Sequence, residues 1–459
     1  MRDSSLLKVL GLSFGLAVTV GNSIGGGILR TPGDIASLLP NPWWFVGIWV
    51  VGGLYALLGA NAIAELGTML PRSGGQYIFA RHAFGNYAGF LVGWVDWIST
   101  CASVGAISLV LGESIAAVAS LPVRAASPIA MSIVVVFTAL LVRGTRLGDF
   151  AQRITSLAKA LALLALVAAC FAFAGRAHVE TAAPAVTLPS TSMFAAFLLA
   201  AQSVIYTYDG WSGPIYFSEE LDHPATQIPR SMFYGLLSVA LIYLSINIAF
   251  ITALPTSALA GSPLAAATVA KAIFGSVGET LVRVVVIASL PSAVNACLLM
   301  ASRTLYSVSR DGLGFKATTY VNRGGTPVAA LIATGAVGLA FLATGTFETM
   351  IAIAAFFFVA AYTLSFIAVF LLRRREPNAP RPYRTKGHPW TTGFVLVGSL
   401  AFLISAIIGD RKNSLFALGI VVVSYPVFRL TSARRVPIAS AGSYLSEQQP
   451  QAPESGALS

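Results

Sequence analysis

Charged residues are scarce in this sequence. Of its 459 residues, 10% are charged and 56% are hydrophobic, and the mean hydropathy is +0.78. Soluble domains carry about 25% charged residues, so a chain of this length cannot cover itself with a polar surface. The sequence therefore predicts a protein whose solvent is mainly the lipid bilayer.

Cysteine and histidine are also rare, which argues against a metal centre. The three cysteines, Cys101, Cys170 and Cys297, lie inside apolar runs, where we expect them to be buried packing residues. The four histidines fall in polar connections without the spacing of metal ligands. Neither a phosphate-binding GxxxxGK[ST] loop nor a cluster of catalytic acids and bases appears. We expect no cofactor, no metal and no enzymatic activity.

Basic residues exceed acidic residues, 29 to 18, but they lie between apolar runs and not within a polar domain. This pattern excludes a nucleic-acid-binding domain and instead indicates membrane topology. With the N-terminus inside, 21 basic residues fall on the cytoplasmic side, seven fall outside or near the outer boundary, and Lys159 remains within the membrane. The bias predicts a multi-pass protein of the cell membrane with both termini in the cytoplasm.

Apolar runs of about 20 residues, the length needed to cross a bilayer, recur along the chain. Twelve such runs predict an all-α transmembrane domain over residues 1–434. Residues 435–459 are rich in Ser, Gln, Pro and Gly, and we expect a disordered cytoplasmic tail there. The runs are 9–39, 44–70, 86–119, 127–143, 154–174, 193–217, 231–254, 276–308, 327–345, 347–372, 391–409 and 413–430.

The first run contains a cluster of glycines near its middle. Four of the seven residues from Gly21 to Gly27 are glycine, and each glycine in a helix interior costs about 1 kcal/mol relative to alanine. Close packing of small residues is the alternative explanation. Three consecutive glycines beside Asn22 and Ser23 favour an unwound segment, which is tolerated within a membrane only where it lines a cavity.

An unwound segment between two half-helices has opposite polarity at its two ends. The second half-helix presents free N–H groups of Gly25, Gly26 and Gly27 to an anion, and the first ends in carbonyls suited to a cation. A small molecule that carries both charges on one carbon fits this arrangement. The pattern therefore predicts an α-amino acid as the ligand.

The sixth run is interrupted as well, by Asp209-Gly210-Trp211-Ser212-Gly213-Pro214. An acid at this depth is costly unless it is paired or hydrated, and Gly-Pro weakens helical hydrogen bonding. Interruptions in the first and sixth segments are what an inverted repeat of five plus five helices would produce. The halves share no convincing sequence identity, so the repeat is inferred from the two interruptions.

Four motifs in order resemble the amino acid–polyamine–organocation superfamily, closest to its L-type amino acid transporters and their bacterial relatives. VGNSIGGGILRTP (20–32) is similar to that family's first helix, and AELGTMLPRSGGQY (64–77) to the end of its second. YTYDGWSGPIYFSEELDHPATQIPRS (206–231) resembles helix 6 and the next loop, and SRTLYSVSRDGL (302–313) the end of helix 8. The resemblance implies a LeuT-like fold, with helices 1 and 6 unwound at mid-membrane, that transports neutral amino acids by alternating access.

The resemblance also implies roles for particular positions. Gly25, Gly26 and Gly27 would bind the carboxylate of the substrate, and Tyr206 matches an aromatic outer gate, with a packing tyrosine as the alternative. Backbone of helix 1 and residues of helix 6 would receive the amino group. The matching positions are Ser23, Ile24, Tyr206, Tyr208 and Asp209.

Lys159 falls at the position of a family lysine in helix 5. An unpaired ammonium in apolar surroundings loses its proton readily, so this lysine can couple transport to protons. Exchangers also carry a lysine here, so it can equally hold helix 1 near its break. In either role it argues against a sodium ion at the same place. Proton symport and amino acid exchange both remain open at this point.

Several features bear on selectivity. Gly26 replaces a frequent serine, Arg30 stands where small or apolar residues are usual, and Pro291 is expected to kink helix 8. Few charges near the pocket beyond Asp209 favour a neutral amino acid. The alternative is an amine or polyamine transporter, in which Asp209 binds an ammonium group.

Overall fold

The computed structural model describes residues 10–143, 145–173 and 193–432. Within these ranges the secondary structure is helical, and the only β-type pairings are two isolated bridges. The all-α class is therefore confirmed. The predicted tail, residues 435–459, lies outside the described residues.

Fifteen α-helices are numbered here in chain order. The first eight are α1 (Leu12–Ser23), α2 (Gly27–Leu38), α3 (Pro42–Met69), α4 (Gln76–Phe84), α5 (Asn86–Val118), α6 (Ala126–Val142), α7 (Thr145–Phe173) and α8 (Met193–Tyr208). The others are α9 (Pro224–Ala253), α10 (Thr256–Leu259), α11 (Ala265–Arg310), α12 (Val328–Thr344), α13 (Phe347–Arg375), α14 (Trp390–Gly409) and α15 (Arg411–Thr431).

Nine helical stretches of the described chain are long and apolar enough to cross a membrane, with α1 and α2 together counted as one. Two further apolar helices, Leu157–Phe173 and Val328–Thr344, are shorter. Every one of the twelve predicted runs contains a helix. The chain is thus a multi-pass helical membrane protein.

The longest helix, α11, has 46 residues and is interrupted near its start. Gly275 has φ +66° and ψ −155°, values outside the helical region, and it divides the helix into two parts. Pro291, where we expected a kink, keeps helical dihedral angles. The interruption therefore lies at a glycine, which adopts positive φ without steric strain.

The helices pack so that α1 and α2 are enclosed. Helix α5 packs against α4, α6, α11 and α13, and α3 packs against α9. Helix α1 contacts α7, α9 and α11, while α2 contacts α8, α10 and α11. The connection between α1 and α2 is therefore surrounded by other helices, as unpaired backbone in a membrane protein requires.

Ion pairs gather where helices meet the polar loops. Buried Glu65 pairs with Arg373 (2.6 Å) and Arg381 (3.2 Å). Buried Glu220 pairs with Arg303 at 2.5 Å. Burial alone would raise the pKa of Glu219, but the hydrogen bonds and charge of Arg310, with the charge of Arg72, lower it overall. Ionised Glu219 therefore stabilises the folded protein at pH values above the ordinary glutamate pKa. This stabilisation is lost as the pH falls through the lowered pKa of Glu219.

Candidate functional site

The chain leaves helical geometry between α1 and α2. Helix α1 ends at Ser23 and α2 begins at Gly27. Ile24 has ψ +81°, outside the helical region, and the N–H of Gly25 donates to the carbonyl of Ser23 at 2.8 Å. We call residues 21–27, which span the last turn of α1, the non-helical link and the first residue of α2, the helix break.

Side chains from two other helices donate hydrogen bonds to carbonyls at the end of α1. The ammonium group of buried Lys159, on α7, donates to the carbonyls of Gly21 (2.8 Å) and Ile24 (2.7 Å). The hydroxyl of Tyr243, on α9, donates to the carbonyl of Ser23 (2.5 Å) and to that of Thr207 (3.1 Å). Three carbonyls of the helix break, those of Gly21, Ser23 and Ile24, therefore already have hydrogen-bond donors from the protein.

The backbone N–H groups at the start of α2, in contrast to these carbonyls, lack hydrogen-bond partners in the described chain. The first four N–H groups of any helix lack a partner within the helix. Among the described residues, no acceptor is recorded for the N–H groups of Gly26 and Gly27. The positive end of the α2 dipole lies at the same place. The start of α2 can therefore receive an anion.

A second interruption faces the first. Helix α8 ends at Tyr208, and a short 3₁₀ helix follows at Gly213–Phe217. Gly210, between them, has φ +107° and touches the helix break: a Cβ there would lie 2.8 Å from the backbone of Asn22 and of Ser23. Only glycine allows this conformation and this contact together.

A cavity of about 50 Å³ lies between the two interruptions. Asp209 is the one charged residue among its described lining residues, and the hydroxyl of Tyr362 donates to its carboxylate. Tyr362 in turn stacks on Trp211, with 4.8 Å between ring centroids. The remaining lining combines small hydroxyl groups with apolar side chains: Thr100, Ser103, Thr207 and Ser212; Ile107, Val110, Met300, Phe347 and Phe358.

Residues 5–425 match the family model described as amino acid permease. The chain belongs to the amino acid permease family. It is 28% identical to the serine/threonine exchanger SteT of Bacillus subtilis over 432 residues, which cover 93% of this chain and 97% of that protein. It is 26% identical to the mouse b(0,+)-type amino acid transporter 1 over 416 residues (89% and 85%), and 28% identical to the mouse Asc-type amino acid transporter 1 over 389 residues (83% and 73%).

The structure of the permease brings together most of the predicted site residues. The cavity is lined by Ser23, Gly25, Gly26, Gly27, Tyr206 and Asp209. Ile24 and Tyr208 are not among the lining residues: Ile24 is buried, and the hydroxyl of Tyr208 donates to the carbonyl of Trp49 at 3.1 Å. The amide of Gly25 is already bonded to Ser23, so the open amides are those of Gly26 and Gly27.

Three residues of the permease site carry roles that the sequence did not indicate. The hydroxyl of Tyr243 donates to a carbonyl of the helix break, and that of Tyr362 donates to the carboxylate of Asp209. The thiol of Cys297 donates to the side-chain oxygen of Asn22 at 3.4 Å. All three lie in apolar helical stretches where a tyrosine or cysteine is an ordinary packing residue. No spacing between residues could have marked them.

Arg30 of the permease contacts a residue that lines the cavity. Its guanidinium carbon lies 4.0 Å from the ring centroid of Phe347, and its side chain pairs with Glu113 at 3.3 Å. One arginine thus links α2, α5 and α13. The sequence marked Arg30 only as a departure from the usual small or apolar residue at this position.

Two glycine substitutions test the contact between the interruptions. Gly210→Ala should destabilise the permease by about 1–3 kcal/mol, because it forces a Cβ into a positive-φ position against Asn22. Gly26→Ala is the matched control, since its Cβ would meet Val110 at an ordinary 3.5 Å. Melting temperatures in detergent, followed by tryptophan fluorescence, should fall by several degrees for the first variant only. Equal melting temperatures would contradict the close contact.

Proposed function

We propose that the permease exchanges neutral amino acids across the membrane by alternating access. The observation that carries the proposal is the helix break, where side chains of the protein pair three carbonyls while the amides of Gly26 and Gly27 stay open beside a cavity. The names of its relatives, a serine/threonine exchanger and amino acid transporters, support the same activity.

The substrate would bind through both of its charged groups. Its carboxylate would accept hydrogen bonds from the amides of Gly26 and Gly27, at the positive end of α2. Its ammonium group would lie on the opposite side of the cavity, toward the end of α1 at Ser23 and the carboxylate of Asp209. Because Lys159 and Tyr243 occupy the nearby carbonyls, Asp209 becomes the main partner for the ammonium group.

The cavity favours a small neutral side chain. Beyond Asp209 its described lining offers hydroxyl groups, such as those of Thr100 and Ser103, and apolar surface. A substrate with a charged side chain would lose its hydration without gaining a counter-ion, which is costly in an apolar interior. Serine, threonine and similar amino acids meet these limits.

The transport cycle we propose follows from a LeuT-like fold of twelve membrane spans, with ten in a five-plus-five inverted repeat. In that fold α1 and α2 would form an unwound helix 1, and α8 with the following 3₁₀ helix would form helix 6. Both termini would lie in the cytoplasm, as the placement of basic residues indicates. Rocking of one repeat against the other would expose the cavity to each side in turn.

Tyr206 and Phe347 would close the cavity toward the outside. Both line it, and Arg30, which pairs with Glu113, has its guanidinium group over the ring of Phe347. Tyr206 would move over the bound substrate, and Phe347 would supply the facing aromatic surface.

Exchange predicts that uptake depends on substrate inside the vesicle. Purified protein in liposomes loaded with L-serine should take up radiolabelled L-serine at least tenfold faster than in unloaded liposomes. An inward proton gradient should not replace the internal serine, because the gradient supplies no counter-substrate. Protein-free liposomes give the background. Accumulation in unloaded vesicles driven by the pH gradient would contradict exchange and indicate proton symport.

The same vesicles separate the proposal from amine transport. Excess L-serine should abolish the labelled uptake, whereas ethanolamine, the amine left when serine loses its carboxyl group, should compete weakly because it cannot occupy the amides of Gly26 and Gly27. The relatives are named as amino acid transporters, which disfavours the amine alternative. Equal competition by serine and ethanolamine would reverse that conclusion.

Lys159→Ala tests the role of the lysine. Loss of its two hydrogen bonds would leave the carbonyls of Gly21 and Ile24 unpaired, so exchange should fall at least tenfold at every pH. Lys271→Ala, which removes an exposed lysine on α11, is the control and should keep full exchange. If Lys159→Ala instead retains exchange and loses only its dependence on pH, the lysine serves proton coupling.

A further inference from the structure

A second and larger cavity lies at the end of the helix bundle that carries the basic loops. Its volume is about 750 Å³, and it shares no lining residue with the cavity at the helix break. It is bounded by α3, the first turns of α9 and the loop before α14. We call it the interfacial groove.

Part of the lining of the interfacial groove is apolar. Leu57 and Leu58 of α3 face it together with Phe233 and Tyr234 of α9, whose side chains are 47% and 57% exposed. The next helix, α14, opens with Trp390, which is 85% exposed. Exposed tyrosine and tryptophan at a helix end are typical of the boundary between hydrocarbon and lipid headgroups.

The lining also includes two cations for which the described chain shows no counter-ion. Arg230 and Lys386 line the groove and are exposed, and none of its lining residues is acidic. Within the described chain neither side chain has an ion-pair or hydrogen-bond partner, whereas Arg303, Arg310, Arg373 and Arg381 all do.

The loop that carries Lys386 is held in place through its backbone. The side-chain NH₂ group of Asn61 donates to the carbonyl of Lys386 at 2.8 Å. The side-chain oxygen of Asn61 accepts from the N–H of Lys386 (3.0 Å) and from the hydroxyl of Tyr383 (2.7 Å). These bonds use the neutral polar groups of the groove. They fix the backbone of Lys386 but do not involve its ammonium group.

We propose that the interfacial groove binds an anionic phospholipid. The phosphate would lie between Arg230 and Lys386, and an acyl chain would run along Leu57 and Phe233 toward the bilayer interior. Basic pockets between helices at a membrane surface attract acidic headgroups in this way. A zwitterionic lipid would bring its own cation against the two basic side chains, so the groove discriminates by headgroup charge. The proposal is independent of the transported substrate.

Native mass spectrometry of the purified, delipidated full-length protein tests the proposal. Dioleoyl phosphatidylglycerol should bind more tightly than dioleoyl phosphatidylcholine. The double variant Arg230→Gln/Lys386→Gln should lose on the order of tenfold in affinity for phosphatidylglycerol, since each cation near a membrane surface contributes severalfold. Its affinity for phosphatidylcholine should not change.

The matched control is Arg411→Gln/Lys412→Gln. It removes the same charge from two exposed residues at the far end of α14, about 30 Å away along the 20-residue helix, and it should keep the lipid preference. Equal losses in both double variants, or none in the groove variant, would overturn the proposal. Displacement of phosphatidylglycerol by millimolar inorganic phosphate would show a site for free phosphate and overturn the lipid assignment.

Discussion

Backbone polar groups that lack partners in an apolar interior are costly, at about 2–7 kcal/mol each, and the helix break creates several of them. Lys159 pairs the carbonyls of Gly21 and Ile24, and Tyr243 pairs that of Ser23. No acceptor among the described residues serves the amides of Gly26 and Gly27. Three acceptors of the break are thus paired, while two of its donors are open. In the proposed function, the carboxylate of the substrate supplies the acceptor that these two amides lack.

In the proposed site, the second interruption would supply the selectivity. Gly210 brings the turn after α8 against Asn22, so Asp209 lines the same cavity as the open amides. Tyr362 orients the carboxylate of Asp209 by a hydrogen bond. The proposal therefore favours a zwitterion over an amine or an acid alone, because the cavity is lined both by open amides and by one carboxylate.

Local composition marked the two interrupted segments and Lys159, since glycine density and isolated intramembrane charges are visible in single segments. The roles of Tyr243 and Tyr362 depend on how α9 and α13 pack against the break, which no short pattern reports. Tyr208 illustrates the same limit. Residues two apart on a helix point about 200° apart, so Tyr206 and Tyr208 could not both face the cavity, but only packing decides which does.

A structure of the protein with L-serine bound would test the central claim most directly. The account predicts the substrate carboxylate at hydrogen-bonding distance, about 2.7–3.2 Å, from the backbone nitrogens of Gly26 and Gly27, with Lys159 still bonded to the carbonyls at the end of α1. A carboxylate bound instead to Lys159 or Arg30, with both glycine amides free of ligand, would contradict it.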